Sequence, residues 1–189
     1  MNRRRRLAIG VVLATASVIS FSNAAYLYAK AALGQFLLER AWTRAIHGER
    51  DAKPWTWADT TPLARLEFAR GRRSYIILSG ASGRTMAWGP GHVDGTAMPG
   101  MIGNCVISAH RDTHFSVLRS ARVGDVIRVS KRDGRRVAYR VSEVLVTNDH
   151  DSKLLAMSSE RKLTLITCWP FDAIRPDSHE RFVVIARGI

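Results

Sequence analysis

The pattern of apolar and polar positions divides the chain into three textures. Leu7 to Ala29 is a run of 23 residues without a charged side chain, preceded by Arg3-Arg4-Arg5-Arg6 and closed by Lys30. As a helix rising about 1.5 Å per residue it spans roughly 34 Å, enough for a hydrocarbon core of about 30 Å. Ser17, Ser20, Ser22 and Asn23 dilute the run, and Tyr26 and Tyr28 stand where an interfacial aromatic belt would lie. The arginines predict a cytoplasmic N-terminus. The expectation is therefore a single-pass anchor in the inner membrane, with the remaining chain extracytoplasmic. A cleaved signal peptide shares the basic start, and Ser22-Asn23-Ala24 loosely fits a cleavage site, but the length of the run favours a retained helix. From Ala31 to about Arg50, Leu33, Phe36, Leu37 and Trp42 keep a helical apolar spacing, which Gly48 and Pro54 end.

A connector follows, Pro54-Trp55-Thr56-Trp57-Ala58-Asp59 to Pro62. It is expected to pack on the domain, because two tryptophans are costly to expose. From about Thr61 the texture becomes short β-rich segments between turns. Strands are predicted at Ser74 to Ser79, Thr85 to Trp88, Asn104 to Ser108, Asp125 to Ser130, Arg136 to Val146, Lys162 to Cys168 and Arg181 to Arg187. Asp133-Gly134 is a hairpin signal, Gly89-Pro90-Gly91 and Pro99-Gly100 mark loops, and Asp151 to Ser159 has room for a short helix. The fold class is mainly β, a small closed barrel or a sandwich. The chain divides into 1–30 (cytoplasmic stub and anchor), 31–60 (helix and connector) and 61–189 (β domain).

Composition changes this picture in two places. Of the 189 residues, 46% are hydrophobic and 24% charged, which excludes wholesale disorder, and two cysteines exclude a disulfide scaffold or a Cys-rich zinc module. Lys plus Arg exceed Asp plus Glu by 29 to 16, a net charge of +13. Such an excess first suggests an acidic partner. Four of those charges form the block at 3–6, better explained as a topology signal, and the rest suit an anionic membrane surface. No nucleic-acid motif is present, so no nucleic-acid partner is expected. Neither a P-loop nor a dinucleotide fingerprint occurs, and no cofactor is expected.

The chemistry concentrates at strand ends. Cys168 closes the run Leu163-Thr164-Leu165-Ile166-Thr167-Cys168, and Pro170 must stop that strand, which puts the thiol at a rim. A nucleophilic cysteine needs a partner to favour the thiolate or shuttle its proton. His110 closes another run, Asn104 to His110, and Arg181 opens the last one. If the three ends meet, they supply a nucleophile, a general acid/base and a fixed donor for an oxyanion.

These residues resemble the sortase family. Thr164-Leu165-Ile166-Thr167-Cys168 with the later Arg181 is similar to its signature, and Ser108-Ala109-His110-Arg111-Asp112 to its histidine segment. The stretch Leu78 to Arg84, Gly89 to Ala97 and the Trp55-Thr56-Trp57-Ala58-Asp59 connector resemble the Gram-negative, marine proteobacterial class. The resemblance implies an eight-stranded β-barrel behind the membrane helix, in the periplasm. It implies a cysteine transpeptidase acting on a protein partner that carries a C-terminal Leu-Pro-x-Thr-Gly-like sorting signal. Cys168 would attack the Thr–Gly carbonyl, His110 would move the proton, Arg181 would hold the substrate and the oxyanion, and an amine acceptor would release the acyl group. Thr167 and the loop of His92 are the expected substrate-binding elements. Arg175, between Pro170 and Pro176, competes with Arg181 for the arginine role, while Arg187 sits at the far end of its strand. Hydrolysis as the main reaction, and a non-enzymatic membrane-tethered binding module with an inert Cys168, are the alternatives. Peptidoglycan cross-linking is disfavoured because no His-Gly-Cys occurs.

No metal site is expected. His110 and His114 are four apart but follow a strand rather than lying on a helix, and no acidic calcium-loop spacing occurs. Cys105 is read as core, facing away from His110 by strand parity. His150 and His179 are loop residues with no assigned role.

Overall fold

Strict alternation of buried and half-exposed positions begins at Pro62. In β1 (Pro62–Phe68), Pro62, Ala64, Leu66 and Phe68 are buried while Leu63, Arg65 and Glu67 are half-exposed, the period-2 pattern of a strand with one face in a core. The computed structural model describes residues 3–173 and 178–189, the side chains of residues 3–12, 14, 23, 24 and 27 excepted. Seven further strands follow: β2 (Arg73–Ser79), β3 (Gly91–His92), β4 (Gly103–Ser108), β5 (Val126–Lys131), β6 (Arg136–Asn148), β7 (Arg161–Cys168) and β8 (Glu180–Gly188). They close into a barrel in the order β1-β2-β3-β4-β7-β8-β6-β5. The β2–β3 and β4–β7 pairs are parallel and the other six antiparallel. The inner face packs Leu66, Ile77, Ile107, Tyr139, Leu163, Leu165 and Val184 into one core. Each such side chain, fully buried, contributes about 1.5–3 kcal/mol.

Six of the seven predicted strands form. The seventh, Thr85 to Trp88, does not: Gly83–Met86 is a single helical turn, α2, because the Ser82 hydroxyl accepts the Thr85 N–H at 3.1 Å and caps it. Two strands were not predicted. In β1, Ala64, Arg65, Leu66 and Glu67 are helix formers by propensity, yet the alternation overrides them. In β3 the cause is a missing side chain. Leu78 and Ser79 face Gly91 and His92 in parallel, and a Cβ on Gly91 would lie 2.4 Å from the Gly80 carbonyl oxygen. Of the helix expected between Asp151 and Ser159, one 3₁₀ turn forms, Ser152–Leu154, capped by the Asp151 carboxylate.

The N-terminal helix α1 runs Arg3–Ile46, and internal contacts divide the chain at Phe36, into residues 1–36 and 37–189. In the second unit, Leu38 and Trp42 of α1 pack on Ile76 and Leu78 of β2, and Arg65 bonds Glu39 at 2.5 Å while lying over the Trp42 ring. The connector packs as expected through Pro54, Ala58 and Thr60, with Trp55 edge-on to Trp88 at 4.8 Å. Trp57, however, is 83% exposed.

The expected membrane anchor is overturned. Residues 7–29 are helical, but among the described residues no helix is long and apolar enough to cross a membrane. Thr15, Ser17, Ser20, Ser22, Asn23 and the two tyrosines put too much polar surface into the run. Absence of charge marked it as a span, whereas spanning requires sustained apolarity. The single-pass topology, the inner-membrane and periplasmic placement, and the membrane as a partner all rested on that helix and are not supported.

Gly91→Ala is expected to lower stability by about 1–3 kcal/mol, since the added methyl meets backbone that cannot rotate away. Urea unfolding followed by tryptophan fluorescence measures it. An unchanged midpoint would show that β3 yields without cost.

Candidate active site

Three strands end side by side at one rim, and parity decides what they show. Cys105, Ile107 and Ala109 of the β4 run point into the core, as do Leu163 and Leu165 of β7 and Phe182, Val184 and Ala186 of β8. The intervening residues face outward, among them His110, Cys168 and Arg181. Register then brings these three together. Cys168 pairs directly with Arg181. Ser108 pairs with Ile166, and the ladder continues with Ala109 N–H donating to the Ile166 carbonyl at 3.3 Å. Two residues on in both strands, His110 falls beside Cys168. With strands about 4.8 Å apart, these backbone positions put His110, Cys168 and Arg181 in a row at the adjoining ends of β4, β7 and β8. Cys168 is half-buried and His110 exposed.

The other expected binding residues lie behind this row. Thr167 is buried, and its hydroxyl donates to the Ala109 carbonyl at 2.7 Å. That bond ties the residue before Cys168 to the residue before His110. His92 is 4% exposed, and its Nε2 lies 2.9 Å from the Ala97 carbonyl and 3.1 Å from the Thr96 hydroxyl. It braces a loop that runs along β4, where Val93 N–H donates to Val106 and Ala97 N–H to Asn104. Neither side chain joins the row. Next to Cys168, Trp169, Phe171 and Phe182 form an aromatic cluster with ring centroids 5.1–5.7 Å apart. Arg111 donates to the Ala173 carbonyl at 3.2 Å, fastening the segment after the cluster.

The Arg181 guanidinium is held by loop groups. Nη1 donates to the Ser178 carbonyl at 2.5 Å and the Glu180 carbonyl at 3.0 Å, and Nη2 to Asp149 Oδ2 at 3.2 Å. Asp149 follows β6, whose Thr147 pairs with Arg181 from the side opposite Cys168. Desolvation works against the Asp149 carboxylate. The His179 hydrogen bond and the charges of His150, Arg181 and His179 outweigh it and hold the group below the usual range. Asp149 and Ser178 were not singled out from sequence. Their approach depends on a register that slips between Val141 and Glu143, which composition does not reveal. Arg175 and Pro176 lie outside the described residues. Arg187 pairs with Glu160 at the opposite end.

Two further groups shape the electrostatics. Cys105 is fully buried and unpaired, and burial pushes its thiol up to about 12, so it stays protonated and inert. His114, half-buried with its ring edge-on to Tyr75 at 5.6 Å, has its pKa lowered, first by desolvation and then by the charge of His110. The spacing of His110 and His114, weighed as a metal motif, brings two like-charging imidazoles near one another. Among the described residues, one cluster has metal-ligand character: Asp149, His150 and His179, with ligand atoms within 4.8 Å of one another.

The comparisons with known proteins agree on this fold. A family model described as the sortase domain matches residues 66–189. Sortase D of Bacillus subtilis (strain 168) is 24% identical over 125 residues, 66% of this chain and 62% of that protein. The chain thus spans less than two thirds of that relative's length. Sortase C-1 of Actinomyces oris has a structure matching with a TM-score of 0.60 and 28% identity, covering 68% of this chain and 72% of that one. Sortase A of Corynebacterium diphtheriae matches with a TM-score of 0.63 and 24% identity over 84% and 85% of the two chains. These relatives are of types A, C and D, and nothing among them supports the expected Gram-negative class. The loop stretches and tryptophan connector that suggested that class are short and lie outside β4, β7 and β8.

The His114 shift has a signed consequence. Its folded pKa lies below the unfolded value, so the unfolded chain takes up the proton more readily. Stability is unaffected well above about pH 6.5 and falls as pH drops below it. His114→Asn is therefore expected to shrink the loss of urea midpoint between about pH 7.5 and pH 5.5. Equal losses in variant and wild type would assign the effect to another group.

Proposed function

The chain belongs to the sortase family, and from that premise we propose that it is a cysteine transpeptidase whose nucleophile is Cys168. What carries the reading is the outward row of His110, Cys168 and Arg181 at three adjoining strand ends. The fold is that of a cysteine-transpeptidase-like enzyme. The residue roles and substrate are our inference, and residues 61–189 are proposed as the catalytic unit.

In this mechanism the Cys168 thiolate attacks the carbonyl carbon of a peptide bond, and the carbonyl electron pair moves onto oxygen. Arg181 turns a guanidinium N–H toward that oxyanion, giving up its bond to Asp149. As the tetrahedral centre collapses, the C–N bond breaks, and His110 delivers a proton to the departing amine. The acyl group remains on sulfur as a thioester. An incoming amine attacks it, His110 takes the amine's proton, and the new amide leaves with the thiolate restored. Thr167 contributes by position, since its bond to the Ala109 carbonyl fixes the spacing of thiol and imidazole. His92 acts on the groove through the loop it braces. Substrate is a protein bearing a Leu-Pro-x-Thr-Gly-like signal, cut between Thr and Gly, and the acceptor is a primary amine.

Incubation of the chain with such a peptide and an amine, with products weighed by mass spectrometry, tests the proposal. The amine-joined peptide is expected to exceed the hydrolysed one. Cys168→Ala is expected to abolish both, His110→Ala to slow turnover by about 10²–10⁴-fold, and Arg181→Ala by about 10²–10³-fold. Wild-type activity in Cys168→Ala would end the proposal. Hydrolysis alone would make the protein a thiol protease.

A further inference from the structure

We propose that Asp149, His150 and His179 form a binding site for a zinc-class divalent cation, set so that the cation competes with Arg181 for Asp149. The three residues come from the turn after β6 and from the residue before β8, joined by Asp149 N–H donating to the His179 carbonyl at 2.8 Å. His179 Nδ1 lies 3.4 Å from Asp149 Oδ2, and His150 Nε2 lies 3.5 Å from Asp149 Oδ1. A tetrahedral ion with bonds of about 2.0–2.1 Å needs donors about 3.3–3.4 Å apart; each imidazole stands close to that spacing from one carboxylate oxygen, and the three ligand atoms lie within 4.8 Å of one another. The imidazole rings are nearly parallel, with centroids 6.5 Å apart and an interplanar angle of 23°, and both are at least 80% exposed, free to swing inward onto one ion.

A second observation points to a missing partner. Among the described residues, Asp149 Oδ1 is shielded from solvent and accepts no hydrogen bond. A shielded carboxylate oxygen without a donor is costly, and a cation between it and His150 would satisfy it. Two imidazoles and one carboxylate suit zinc, nickel or copper and not the all-oxygen preference of calcium or magnesium. Three protein ligands leave a fourth position for water.

The competition follows from charge. Arg181 Nη2 holds Asp149 Oδ2 at 3.2 Å, the oxygen that faces His179. A dipositive ion drawn to that carboxylate repels the guanidinium a few ångströms away. On the far side of β8 from Asp149 stands Cys168. Cation binding therefore loosens Arg181 toward the thiol, a consequence that rests on the role proposed for Arg181 above.

Calorimetric titration of zinc into the full chain carrying Cys168→Ala tests the site without the competing thiol and without reference to activity. One saturable equivalent is expected. His150→Ala and His179→Ala are each expected to weaken binding at least about tenfold. His114→Asn, and calcium in place of zinc, serve as controls: the first is expected to leave binding unchanged, the second to bind no equivalent. Because coupling is reciprocal, Arg181→Gln is expected to tighten zinc binding severalfold. Absence of a saturable equivalent, or undiminished binding in the two histidine variants, overturns the site. Unchanged affinity in Arg181→Gln overturns the competition. Since the background chain lacks the nucleophile, failure here leaves the transpeptidase reading standing, and failure of that reading leaves this titration interpretable.

Discussion

The parallel pairing of β4 with β7 is the constraint on which the rest depends. Those strands are separated in sequence by β5 and β6, so nothing local brings them together. Their register, from Gly103 against Arg161 to Ser108 against Ile166, is held inside by Cys105, Ile107, Leu163 and Leu165. Outside, the Thr164 hydroxyl donates to Asn104 Oδ1 at 2.7 Å, and the Asn104 amide donates to the Leu154 and Ala156 carbonyls. The Thr167 bond to Ala109 closes the last rung. A slip of one residue would turn the imidazole and the thiol to opposite faces. The core and the polar clasps therefore set which way these side chains face as well as stability.

The arginine is held differently. Its backbone is fixed by antiparallel pairing on both sides, Cys168 on one and Thr147 on the other, while its guanidinium is tied to Asp149 and the Ser178 carbonyl. Backbone placement and side-chain direction are separate matters at this position. The first belongs to the barrel. The second belongs to two loops, which are easier to rearrange than a core.

What could be read from sequence divides along the same line. Strands with an apolar run and a turn at each end, such as β7 and β8, are legible because their burial and their propensity agree. β1 was not, since its residue types favour a helix while its alternation favours a strand. β3 owes its existence to one missing side chain. Cys168, His110 and Arg181 could be singled out as candidates because each sits at an end of an apolar run. Asp149 could not, because its partnership with Arg181 is set by pairing between β6 and β8 across a slipped register. The opening run misleads for a simpler reason: its length without charge outweighs the polar residues that dilute it, yet serine, threonine, asparagine and tyrosine are uncharged without being apolar.

Closure of the barrel bears on how the proposed peptide substrate would be held. β7 is paired on both sides, and β4, beyond the two residues of β3, is covered by the loop of Val93 and Ala97. The strands that present His110 and Cys168 thus offer no open row of backbone donors and acceptors. An extended peptide approaching the thiol cannot join the sheet as an added strand. Under the proposed function it would be gripped by side chains and loop backbone, and its selectivity would lie in parts of the chain that can change without disturbing the ladder beneath them.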